Sequence, residues 1–85
     1  MKKVFVLVYS FAIDGELGTD VSVFATFEKA KERLETVKEE ALAIWKSANY
    51  DYESFGDESS FSIYEKENYN VNHDSWIIKE MEVLC

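Results

Sequence analysis

The chain has 85 residues, of which 47% are hydrophobic and 15% aromatic, and it carries a net charge of −8. This length allows one domain, residues 1–85, built around one hydrophobic core. The single cysteine, Cys85, excludes an internal disulfide and fits a reducing compartment. Because the sequence has neither a basic patch nor a run of about 18 apolar residues, we expect a cytoplasmic protein without nucleic-acid or membrane contacts.

The first predicted element is a strand over residues 3–13 that is apolar on both faces. Its side chains alternate, with Val4, Val6 and Val8 on one face and Phe5, Leu7, Tyr9 and Phe11 on the other. This pattern is typical of a central strand. Asp14-Gly15 then predicts a hairpin turn, because both residue types tolerate positive φ. The return strand is predicted over residues 20–25.

A single amphipathic helix is predicted from Phe27 to about Ser47. Thr26 is a suitable N-cap, and Glu28 favours the positive end of the helix dipole. Apolar residues recur in steps of three and four, which draws one stripe along a helix. The stripe consists of Phe27, Ala30, Leu34, Val37, Ala41, either Ile44 or Trp45, and Ala48.

The last third of the chain predicts a loop over residues 49–58 and two more strands, near residues 61–67 and 75–84. In the last strand the apolar phase changes, so a bulge near Lys79-Glu80 is expected. The predicted fold is α+β with the order ββαββ. Its four-stranded antiparallel sheet has the strand order 2-1-3-4, and the helix covers one face.

One helix leaves the other face of such a sheet uncovered, and this is the basis of the functional hypothesis. An exposed aromatic face would exceed the apolar patch that monomers usually tolerate. A second subunit, another protein or the 49–58 loop with Tyr50, Tyr52 and Phe55 would cover it. We therefore expect a non-catalytic protein that acts through protein–protein contact, as a homodimer or with another protein. The predicted interaction residues are Phe5, Leu7, Tyr9, Phe11 and Tyr64.

Acidic residues in segment 49–74 suggest an alternative, since the segment holds most of the excess negative charge. The predicted acidic surface consists of Asp51, Glu53, Asp57, Glu58, Glu65 and Glu67. Negative charge interleaved with aromatic residues suits a basic partner, so the protein could be an acidic inhibitor or nucleic-acid mimic. A need for solubility alone would also explain the many acidic residues of segment 49–74.

The sequence indicates no catalytic, metal or cofactor site. The only histidine, His73, is adjacent to Asp74, but no nucleophile accompanies them. Asp51, Glu53 and Gly56 match the first part of a calcium loop, after which the pattern fails. A third hypothesis is a small-ligand binder that uses the open sheet face near His73.

Several segments together resemble a pattern found in small uncharacterised bacterial and phage proteins. The segments are "VFVLVYSFAIDGE", "VSVFATFEKAKERL" and "FSIYEKENYNV", with a later tryptophan. The matching residues are Asp14, Gly15, Glu16, Val23, Phe24, Thr26, Glu28, Lys29, Ala30 and Trp76. The resemblance implies the strand–turn–strand–helix fold and no activity.

Overall fold

An antiparallel sheet with a helix on one face is seen in the computed structural model, which describes residues 2–13, 15–49, 51–67 and 72–83. The elements among these residues are β1 (Lys2–Ile13), β2 (Glu16–Phe24), α1 (Phe27–Ser47), β3 (Tyr52–Asp57), β4 (Ser60–Glu65) and β5 (His73–Val83). The strands form a single sheet in the order β2-β1-β5-β4-β3. The predicted α+β class, with an antiparallel sheet and an amphipathic helix, is therefore confirmed.

β1 and β2 form a tight hairpin at the predicted turn. Ile13 pairs with Glu16, and Gly15 has a φ of +85°, a conformation that glycine adopts without strain. Asp14, the other predicted turn residue, lies outside the described residues. β2 begins at Glu16, earlier than the predicted start at Asp20, because pairing with β1 continues up to the turn.

The helix begins and ends as the sequence predicts. The hydroxyl of Thr26 accepts a hydrogen bond from the backbone N–H of Lys29 at 3.2 Å, so the predicted N-cap is present. Trp45 is 5% exposed whereas Ile44 is 66% exposed, so Trp45 continues the apolar stripe. The buried helix residues are Ala30, Leu34, Ala41 and Trp45.

The prediction of four strands is wrong, because part of the 49–58 loop is the edge strand β3. It pairs with β4 from Tyr52↔Glu65 to Asp57↔Ser60. The Asp57 carboxylate accepts a hydrogen bond from the backbone N–H of Ser59 at 2.9 Å and thereby stabilises the connecting turn. The segment extends the sheet and does not cover its open face; Tyr50 lies outside the described residues.

The predicted strand order 2-1-3-4 is also wrong, because the C-terminal strand β5 lies next to β1. The two strands pair continuously from Lys2↔Val83 to Ala12↔His73, without the bulge expected near Lys79-Glu80. β5 is apolar on both faces, with Trp76 opposite in direction to Ile77, and such a strand is favoured in the interior of a sheet. The β3–β4 hairpin occupies the edge instead.

The core lies between α1 and the sheet face that carries the large aromatic residues. It is formed by Leu7, Ala30, Leu34, Ala41, Trp45, Phe61, Ile63, Trp76 and Ile78. Tyr9 stacks on Trp76 with ring centroids 4.6 Å apart, and Phe61 stacks on the same indole at 6.0 Å. Parallel stacking across three strands fills the space that one helix leaves above a wide sheet.

The sequence-based prediction placed Phe5, Leu7 and Tyr9 on the uncovered face of the sheet. In the structure they lie on the face that the helix covers. Leu7 belongs to the core, and Phe5 and Tyr9 pack against it. Phe11 stacks on Tyr9 with centroids 4.9 Å apart, so it also belongs to the helix-facing side. The physical reason is volume, because the helix stripe and the larger side chains bury more apolar surface together than the helix and the valines would.

Candidate functional site

The open face of the sheet carries a continuous apolar surface made mostly of valines. Cross-strand pairs Val8↔Val21 and Val8↔Ile77 form one row, and Val6↔Val23 belongs to the next. We call this surface the valine patch. It comprises Val4, Val6, Val8, Val21, Val23, Ile77 and Met81. All seven lie on the face opposite α1, because side chains alternate along a strand and the neighbouring residues belong to the core.

The valine patch is exposed at its edges and closely packed at its centre. Val23 is 63% exposed and Met81 52% exposed, whereas Val6 at the centre is 8% exposed. Lys79 pairs with Val6 and places a cation within this surface. Four members of the patch, Val21, Val23, Ile77 and Met81, are each more than 40% exposed. A contiguous apolar patch of this kind marks a binding surface in many soluble proteins.

The other half of the open face, near β3 and β4, is a groove with a polar floor. Ser62 and Ser75 form its floor and their hydroxyl oxygens are 3.0 Å apart. Phe55 and Tyr64 stand beside them in an edge-to-face arrangement, with centroids 6.1 Å apart. This serine groove has a volume of about 570 Å³ and includes His73. It occupies the position at which the third hypothesis placed a small ligand.

Of the predicted interaction residues, only Tyr64 lies on the open face. Its hydroxyl donates a hydrogen bond to Glu53 Oε2 at 2.7 Å, and this bond raises the pKa of Tyr64. The sequence did separate the valines of β1 and β2 from their aromatic neighbours by alternation. The sequence did not indicate whether the helix covers the face with the valines or the face with the aromatic residues.

On the helix-facing side, a half-buried polar cluster borders the apolar core. The carboxylate of Asp74 accepts hydrogen bonds from the Tyr9 hydroxyl at 2.5 Å and from Trp45 Nε1 at 2.8 Å. Burial of Tyr9, and then its hydrogen bond to the Asp74 carboxylate, raises the pKa of the phenol. In the sequence, Asp74 stands out only as the neighbour of His73, because its contacts join residues of β1, α1 and β5 that are far apart in the chain.

The Tyr9 phenol makes stability sensitive to alkaline pH. Above the ordinary tyrosine pKa near 10, this residue loses its proton in the unfolded chain but keeps it in the folded one. The free energy of unfolding should therefore fall as the pH rises above about 10. Urea titrations between pH 9 and 11 should show a shallower fall for Tyr9→Phe. Equal slopes for both proteins would contradict the prediction.

The predicted acidic surface is distributed along the β3–β4 hairpin and its flanks, and four of its six members have structural contacts. Glu53 accepts from Tyr64, Asp51 lies 3.5 Å from Lys66, and Glu65 accepts from Asn72 at 2.9 Å. The Asp57 carboxylate accepts hydrogen bonds in the turn between β3 and β4. These bonds come from the backbone N–H and hydroxyl of Ser59 and from the hydroxyl of Ser60, and they lower the pKa of Asp57. Glu58 and Glu67 are exposed. Four of the acidic residues therefore form hydrogen bonds or an ion pair within the β3–β4 hairpin and its flanks.

Among the described residues, no group of three or more His, Cys, Asp or Glu side chains has an arrangement that could hold a metal ion. Cys85 lies outside those residues. Within the same part of the chain, no helix has the length and apolarity needed to cross a membrane. Comparison of the chain with protein-family models, curated proteins and solved structures finds no match. The resemblance to small bacterial and phage proteins stays a prediction.

Proposed function

We propose that this protein acts without catalysis, through protein–protein contact, and that the valine patch binds the same patch of a second copy. The observation that supports the proposal is the exposure of Val21, Val23, Ile77 and Met81 beside a core that is complete without them. Two antiparallel sheets that pack face to face, about 10 Å apart, would bury these side chains in both copies.

The size of the open face supports self-association. The molecule measures 46 × 22 Å along its two longer axes. A standard protein interface buries about 800 Å² on each partner, so a stable dimer would use most of a face of these dimensions, with the valine patch as its apolar part. A twofold axis makes the same patch serve on both copies, so that a single surface is sufficient for a closed dimer.

The variant Val23→Lys tests this proposal. Because a twofold dimer contains the substitution twice, we expect the dissociation constant to rise about 100-fold, as two cations would be desolvated in an apolar contact. Analytical ultracentrifugation over a range of protein concentrations measures the change. Val23 is exposed in the single chain, so the monomer should fold normally.

Ile44→Lys is the matched control. Ile44 is exposed to a similar extent, 66% against 63% for Val23, but it lies on α1 and away from the valine patch. It should dimerise like the unmodified chain. An equal loss of dimer in the two variants would contradict the proposal, as would a dimer that Val23→Lys leaves unchanged.

A further inference from the structure

A cleft lies on the helix-covered side of the sheet, between α1 and the edge strand β2. It has a volume of about 310 Å³. Its origin is local, because Leu7 and Tyr9 of β1 pair with Ser22 and Asp20 of β2, which are too small or too polar to fill the space beneath the helix. The helix residues above this space are Arg33, Val37, Glu40, Ala41 and Ile44.

The floor of the cleft combines aromatic rings with a carboxylate. Trp76 and Tyr9 line it, stacked almost parallel with an interplanar angle of 7°. The Asp74 carboxylate lies beside them, held in place by the Tyr9 hydroxyl and the Trp45 indole N–H. Because Phe11 and Phe61 stack on the outer faces of these two rings, the rings offer the cleft their edges and thus an apolar surface. The fixed carboxylate is the group that can bind an organic cation.

The charges around the cleft are unbalanced. Asp20, Glu40 and Asp74 contribute three carboxylates, whereas Arg33 contributes one guanidinium, so two negative charges are in excess at neutral pH. Within the described part of the chain, neither Arg33 nor Glu40 forms an ion pair. Asp20, Arg33 and Glu40 are exposed and Asp74 is half-buried, so salt screens the attraction of this excess charge for a cation and binding should be strongest at low ionic strength.

We propose that this cleft binds an organic cation, a guanidinium or primary ammonium group on a short aliphatic chain. The aliphatic part would contact Val37 and Ile44, and the cation would lie between the carboxylates of Asp20 and Glu40. The volume accommodates a group of the size of an arginine or lysine side chain. Such a group exists in free diamines and guanidino compounds and also in the side chains of a protein partner. The site is on the opposite side of the sheet from the valine patch and is independent of the proposed dimer.

Agmatine, which carries both cationic groups on a butyl chain, is the probe for the free ligand. An acetylated and amidated peptide with one central arginine is the probe for a protein partner. Binding is measured by isothermal titration calorimetry at low ionic strength, with 1,5-pentanediol as the uncharged control compound. We expect at least one cationic probe to bind and the diol not to bind. The stronger of the two probes identifies the source of the cation.

The double variant Asp20→Asn with Glu40→Gln should weaken binding of that probe about tenfold or more. The matched control, Glu35→Gln with Glu39→Gln, removes the same charge from exposed helix residues outside the cleft and should change the affinity less than about twofold. Circular dichroism melting establishes that all variants are folded. The proposal is overturned if neither cation binds at millimolar concentration, or if both double variants weaken binding equally.

Discussion

Replacement of Leu34 with alanine is expected to cost about 3 kcal/mol of the free energy of unfolding. Leu34 lies in the middle of α1, is 2% exposed and belongs to the core between the helix and the sheet. Truncation removes buried apolar surface and leaves a cavity that the surrounding strands cannot close. In a domain of this size the midpoint of thermal unfolding should fall by about 15 °C. Calorimetry or a urea titration measures the loss.

The control for this prediction is Ile44→Ala on the same helix. Ile44 is mostly exposed, so its truncation should change the free energy of unfolding by less than about 0.5 kcal/mol. Similar losses in the two variants would mean that α1 packs on the sheet through a different stripe. That result would contradict the conclusion that α1 covers the aromatic face of the sheet and leaves the valine patch open.

Asp74→Ala should be the next most damaging substitution, with a loss of about 2–4 kcal/mol. The substitution deprives both the Tyr9 hydroxyl and the Trp45 indole N–H of an acceptor. Both donors lie in partly buried positions, where an unsatisfied group costs free energy because water cannot fully replace the lost carboxylate. Equilibrium unfolding in urea at pH 7 measures the effect.

A double-mutant cycle separates this cluster from a general effect of losing a charge. Tyr9→Phe alone should cost less than Asp74→Ala, because it removes one of the two hydrogen bonds. The two substitutions combined should cost less than the sum of their separate effects, since they share that bond. Strict additivity would indicate that the contact between Tyr9 and Asp74 does not stabilise the fold.

Local signals in the sequence were sufficient for the elements that depend on neighbouring residues. The Thr26 cap, the helical spacing of Ala30 and Leu34, and the turn containing Gly15 each act over a few positions, and the structure has the helix and hairpin that they predict. The edge strand β3 was missed because its side chains are mostly exposed and polar, a composition shared by loops and edge strands.

Features that depend on distant residues could not be read in the same way. The place of β5 beside β1 depends on pairing between residues as far apart as Lys2 and Val83. The choice of covered face depends on the combined volumes of α1, β1 and β4, whereas alternation along β1 only divides its residues into two sets. For this reason Phe5, Leu7 and Tyr9 were predicted as interaction residues, although they pack under the helix.

Sedimentation equilibrium of the unmodified protein, from micromolar to millimolar concentration, tests the central claim most directly. Self-association through the valine patch predicts that the mass rises with concentration from the 9.9 kDa of one chain to twice that value and then remains constant. A mass of 9.9 kDa at every concentration would contradict it.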